Sequence, residues 1–193
     1  CMRVLITDSD GRPALAATRS LGRHGHEVFT AGSAHPSLAS VSRYSSGFDA
    51  YANPVADPDR FVEDVRAIAA RRRIDVLLPM TEITTLLLTQ HQQSLPAHVR
   101  LPFASAATVA AAADKAAVMA LAEQVGVPIP RTRVVHSIDE GRAVAAELVY
   151  PIVIKAARSR IWTGKRWLST SVSYANSAAE LESILAAAAA QTF

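Results

Sequence analysis

The chain has almost no cysteine, very little lysine and no long apolar run, and the first and last of these shortages each remove a class of function. Among its 193 residues the one cysteine is Cys1. It stands ahead of Met2, so we read it as an added residue before the natural start. That leaves no thiol for a disulfide, a cysteine nucleophile or a cysteine metal site. No apolar stretch approaches the ~20 residues needed to cross a bilayer. The opening "MRVLITD" runs directly into a strand-like segment rather than a signal peptide. A cytoplasmic location with no membrane partner is the expectation. The first strand is followed by "DSDGRPALAA", with Gly11 alone where a dinucleotide enzyme would want G-x-G-x-x-G. The six histidines are scattered, and no pair has a persuasive metal spacing.

What is present describes a folded protein: half the residues are hydrophobic and 19% are charged, a balance that disorder does not show. The net charge is +3. Of the 20 basic residues only three are lysine, at Lys115, Lys155 and Lys165, and the rest are arginine. Lysine is a compact point charge and arginine a planar fork, so a chain that otherwise uses arginine invites a look at its lysines.

Strand and helix patterns alternate over the first half. "RVLITD" precedes a small-residue helix over about 13–25, and "HEVFTAG" is the next strand. Asp57 and Pro58 offer a cap and first turn for a helix burying Phe61, Val65, Ile68 and Ala69. Arg71, Arg72 and Arg73 close that helix, where cations suit the negative pole better than they suit a nucleic-acid patch. "IDVLLP" is an apolar strand of the doubly buried kind. A helix over about 81–94 and a short strand "RLPFAS" follow. This alternation argues for an α/β fold with a Rossmann-like parallel sheet, expected over residues 2–112. Ligands in such sheets sit beyond the carboxyl ends of the strands, which singles out Asp8, Ser9, Asp10, Thr81 and Glu82.

Beyond the alanine-rich stretch the organisation changes, and residues 113–193 are expected to form a small α+β unit. Asp114 caps a helix whose apolar positions are Val118, Leu121 and Val125, ended by Gly126. Ser137 with Glu140, and Ser177 with Glu180, are capping boxes. "YPIVIKA" is the strongest strand signal, and "STSVSYA" is another. Lys115 lies in the first turn of its helix, where the dipole disfavours a cation by about 0.3–1 kcal/mol, so a bound anion would rationalise it; pairing with Asp114 is the plainer alternative. Lys155 ends the apolar run "IVIK", where it either meets an anion or snorkels to water.

The run "ADKAAVMALAEQVGVPIPRT" followed by "YPIVIKAA" resembles the ATP-grasp superfamily, of the carbamoyl-phosphate-synthase-like carboxylate–amine ligase type. "SRY" at residues 42–44 resembles part of that family's pre-ATP-grasp domain. The resemblance implies a pre-ATP-grasp domain followed by the first part of an ATP-grasp domain. It implies that Lys115 and Lys155 contact ATP phosphates, with Mg²⁺ held by residues beyond 193. The implied activity is an ATP-dependent ligase that joins a carboxylate to an amine, or to a thiol, through an acyl phosphate. Asp8, Arg43 and Glu82 become candidates for the acceptor substrate. The family's glycine-rich phosphate loop is missing after Lys155, and Arg158, Ser159 and Lys165 are candidate substitutes. Small-molecule carboxylate and amine substrates, a homodimer and no nucleic acid are the expected partners. The chain is expected to be an N-terminal fragment, inactive alone. Rival readings are a non-catalytic nucleotide-binding or regulatory module, and nucleic-acid binding through Arg160, Trp162, Lys165, Arg166 and Trp167.

Overall fold

The computed structural model describes residues 1–157, 160–162, 167–169 and 171–190. The chain divides into two units, one covering Cys1–Ala110 and the other beginning at Ala111. The first unit is built on strands β1 (Arg3–Ile6), β2 (Glu27–Gly32), β3 (Ser45–Ala50) and β4 (Val76–Leu78), all parallel, in the order β3-β2-β1-β4. This is the strand order of a Rossmann half-sheet. Helix α1 (Arg12–Arg23) joins β1 to β2, α2 (Pro58–Arg71) lies between β3 and β4, and α3 (Glu82–Gln90) follows β4.

Strand alternation separates the two faces of this sheet. Val4, Ile6 and Val28 are buried with Ala14 of α1 and with Ala39, while Leu15, Ala17 and Leu21 pack alongside. Leu5 and its register partner Leu77 point the other way and are equally buried. Asp57 caps α2 by accepting the Arg60 N–H, and the helix buries Phe61, Val62, Val65, Ile68 and Ala69. Thr81 and Thr84 exchange cap bonds at the start of α3.

Three details differ from expectation. β3, "SSGFDA", carries no apolar run. It is an edge strand held through its backbone and by the Thr30 hydroxyl, which donates to the Gly47 carbonyl at 3.3 Å. The "RLPFAS" strand shrinks to one parallel bridge between Val76 and Arg100; Pro102, with no N–H to donate, cannot extend a ladder. The helix over 81–94 ends at Gln90 and continues as a 3-10 turn, Gln92–Ser94. A short helix, α4 (Ala106–Ala112), occupies the alanine-rich stretch.

The second unit contains α5 (Lys115–Gln124), α6 (Ile138–Val144), β5 (Ile152–Lys155), β6 (Arg160–Trp162), β7 (Trp167–Ser169), β8 (Val172–Ala175) and α7 (Ala178–Ala190). β5 pairs antiparallel with β8, and β6 with β7. Both serine caps form, and each glutamate reaches back one residue further than a capping box requires. Glu140 accepts the N–H of His136, and Glu180 that of Asn176. α6 and α7 meet where a Cβ on Gly141 would come within 3.3 Å of both Leu185 methyls, a tight contact, beside an Arg142–Glu182 ion pair at 2.7 Å. The expected apolar face of α5 is not a core face among the described residues: Leu121 is 57% and Val125 65% exposed.

Candidate functional site

The two lysines singled out by composition come from segments joined through the backbone. Asp114 caps α5 by accepting the N–H groups of Ala116 and Ala117 at 3.0 and 3.2 Å, which makes Lys115 the first helical residue. The Lys115 N–H donates to the carbonyl of Ala157 at 2.9 Å. Ala157 is two residues past Lys155, a span of at most about 7 Å in extended chain. The start of α5 is thus tied to the exit of β5. Lys155 is exposed and Lys115 partly so, and a phosphate from solvent can reach an ammonium so placed. Arg158, Ser159 and Lys165 lie outside the described residues.

The carboxyl edge of the first unit is organised around Asp8. This residue has the left-handed φ of 55°, which aspartate tolerates better than most. Its carboxylate accepts hydrogen bonds from the Thr7 and Thr84 hydroxyls, both at 2.7 Å, and from the Met80 N–H at 3.0 Å. Longer bonds come from the Tyr51 and Thr81 hydroxyls, both at 3.4 Å. The Tyr51 hydroxyl in turn accepts the Asp8 N–H at 2.8 Å. Burial and the adjacent Asp8 carboxylate push the Tyr51 phenol well above its ordinary value. Asp8, expected to face a substrate, spends its acceptors inside the protein. Sequence reasoning missed Tyr51 and Thr84 altogether.

Glu82 is the first residue of α3 at this same edge, half-buried, and its side chain makes no hydrogen bond or ion pair to another described residue. Arg43 is elsewhere. It precedes β3, at the amino ends of the parallel strands, and its guanidinium bonds and stacks on neighbouring Tyr44. Hydrogen bonds from Arg43 and Arg23 lower the Tyr44 phenol from its usual range. The structure therefore brings Asp8 and Glu82 to one edge and leaves Arg43 at the other. Two clefts of this unit, of about 360 and 590 Å³, are lined by neither Asp8, Arg43 nor Glu82. The run of arginines after α2 has a structural explanation. Arg71 and Arg72 both pair with the buried Asp49, at 2.7 and 2.8 Å.

Residues 114–192 match the family described as carbamoyl-phosphate synthase L chain, ATP binding domain. The chain is similar to the solved L-amino acid ligase from Bacillus licheniformis, with a TM-score of 0.71 and 14% identity over 98% of this chain and 42% of that one. This is an ATP-grasp fold. The ADP complex of N5-carboxyaminoimidazole ribonucleotide synthetase gives a TM-score of 0.69 and 17% identity over 98% of this chain and 45% of that one. The biotin carboxylase domain of the Hydrogenobacter thermophilus 2-oxoglutarate carboxylase, in complex with MgADP, ADP and bicarbonate, gives 0.66 and 16% over 100% and 42%. At such identities the likeness speaks for the fold. The chain spans under half the length of these structures. No curated protein matches it. Among the described residues no helix is long and apolar enough to cross a membrane.

Proposed function

We propose that this chain supplies the phosphate-binding half of an ATP site and part of an acceptor site in an ATP-dependent carboxylate–amine ligase. The observation that carries the proposal is the Lys115 N–H bond to Ala157, which sets two lysine-bearing segments side by side in one unit. In this reading Lys115 and Lys155 are the ATP-binding residues. ATP supplies a phosphoryl group that turns the substrate carboxylate into an acyl phosphate, open to attack by the amine. The two ammonium groups hold phosphate oxygens and offset the charge that moves as the bond breaks, work that needs positioning and electrostatics rather than a protein nucleophile. Among the described residues no group of three or more histidine, cysteine or acidic side chains could hold a metal, and the reading leaves magnesium to residues beyond 193. We therefore assign it no ligand here.

The acceptor amine is assigned to the carboxyl edge of the first unit, with Glu82 as its carboxylate contact. Asp8 and Arg43 are not carried forward as contacts, the first because its lone pairs are committed and the second because of its place on the sheet. Lys155→Ala in the full-length protein is expected to abolish ADP release, in a screen against acids and amines, while the fold survives. Undiminished turnover would take Lys155 out of the site.

A further inference from the structure

We propose that Asp8 is a positioning residue: its carboxylate ties the ends of three strands into one rigid lip and so sets where Glu82 presents its charge. This rests on the reading of Glu82 as the amine contact. β1 delivers Thr7 and Asp8 itself, the segment after β3 delivers Tyr51, and the turn from β4 into α3 delivers Met80, Thr81 and Thr84. The partners lie 43 to 76 residues away in sequence, apart from adjacent Thr7. Tyr51 is itself anchored, with its ring edge-on to the fully buried Phe61 at 4.9 Å.

The geometry makes the charge state and the atom type matter separately. Four of the five donors are hydroxyls, which can rotate to suit a neighbour. The Met80 N–H cannot turn. It points at the same carboxylate oxygen as the Thr7 and Thr84 hydroxyls. An amide NH₂ at that place faces a fixed donor, so either the side chain flips or the β4–α3 turn retreats. Glu82 lies two residues beyond Met80 and moves with that turn. A buried carboxylate that accepted hydrogen bonds from one element alone would stabilise the fold without this coupling.

The test uses glycinamide as an amine-bearing probe, titrated into the ¹⁵N-labelled 193-residue chain. Amide shifts at 80–84 report binding, and a thermal melt runs in parallel. In the original protein the 80–84 amides are expected to shift with glycinamide, and Glu82→Gln to lose the response. Asp8→Asn is expected to move the amides of Tyr51 and Met80 together, and to weaken glycinamide binding by about tenfold, the weight of one charge-assisted contact misplaced. Tyr51→Phe keeps the other four donors and is expected to shift the same amides less. If the original protein binds and Asp8→Asn binds equally well, the positioning role is wrong and the Glu82 contact stands. If the original protein shows no response, the Glu82 contact fails and the positioning role falls with it. A lowered melting point with unchanged affinity marks Asp8 as structural and overturns the inference.

Discussion

Replacing Asp49 by asparagine removes one charge from an arrangement that holds the edge strand to the end of α2. Asp49 is 8% exposed on β3 and accepts from Arg72 Nε at 2.8 Å and from Arg71 at 2.7 Å. The Arg71 side chain is 60% exposed, so its share is discounted to well under about 1 kcal/mol. Arg72 is better held: its guanidinium stacks on Phe29 at 4.9 Å and its carbonyl accepts Arg3 Nε at 2.7 Å. A hydrogen bond to a charged group of this kind is worth about 1.5–3 kcal/mol. We expect a loss of about 2 kcal/mol for the first unit at neutral pH, lowering a urea midpoint by ~1–2 M. Both tryptophans, Trp162 and Trp167, lie in the second half of the chain, so fluorescence would report on the wrong unit. The assay is urea unfolding followed by the Thr30 and Asp49 cross-peaks. The pH dependence supplies the sharper check. Burial pushes the Asp49 carboxyl up, but the hydrogen bonds from Arg72 and Arg71 outweigh it and the folded value lies below the ordinary one. A depressed carboxyl stabilises the fold above its unfolded pKa, near 3.9, and that stability drains away as the pH falls through the folded value. The gap between original and variant is therefore flat from pH 5 to 8 and closes below about pH 4. A gap that persists unchanged at pH 3 would show that the ion pair is not its source.

Lys115→Ala and Lys155→Ala are each expected to weaken ATP binding by about 10- to 100-fold, since each removes one charge-assisted phosphate contact. Calorimetry on the purified chain checks this, and raising the salt should narrow the difference. Gly22→Ala is expected to lower the melting temperature of the first unit despite alanine's better helix propensity. Its Cβ would fall 2.6 Å from the Cβ of Tyr44, and overpacking costs about 1–3 kcal/mol against a propensity gain of about 1. An unchanged or raised melting temperature would mean that Tyr44 can step aside.

Helix starts were legible from the sequence because a cap is a local device. Asp57 with Pro58, Asp114, Ser137 and Ser177 need no partner more than three residues away, and each cap forms. β3 was not legible: an edge strand reading SSGFDA is held largely by its neighbour's backbone, and Phe48 alone makes no apolar run. The apolar period of α5 was legible as a pattern, but its exposure among the described residues was not, because periodicity records which side chains align and not what covers them. The role of Asp8 was out of reach for a different reason. Its place after a strand marked it as a ligand-facing residue. The donors that occupy its carboxylate come from distant positions, and no spacing rule connects them.

The lysine pair stood out through the arginine-rich background and through the dipole argument at Lys115, and the structure gives these two signals unequal weight. The dipole argument assumes a bare positive pole at the start of α5. Asp114 already places a carboxylate there, within hydrogen-bond reach of two helix N–H groups. A cation in the next position is then paid back locally, and no anion from outside is needed to explain it. The case for phosphate at this point rests instead on convergence. A helix start and a strand exit, forty residues apart, are joined by one backbone hydrogen bond, and a lysine stands on each side of the joint. Folding alone asks for the hydrogen bond. It does not ask that the side chains beside it be two of the three lysines in a chain that elsewhere uses arginine.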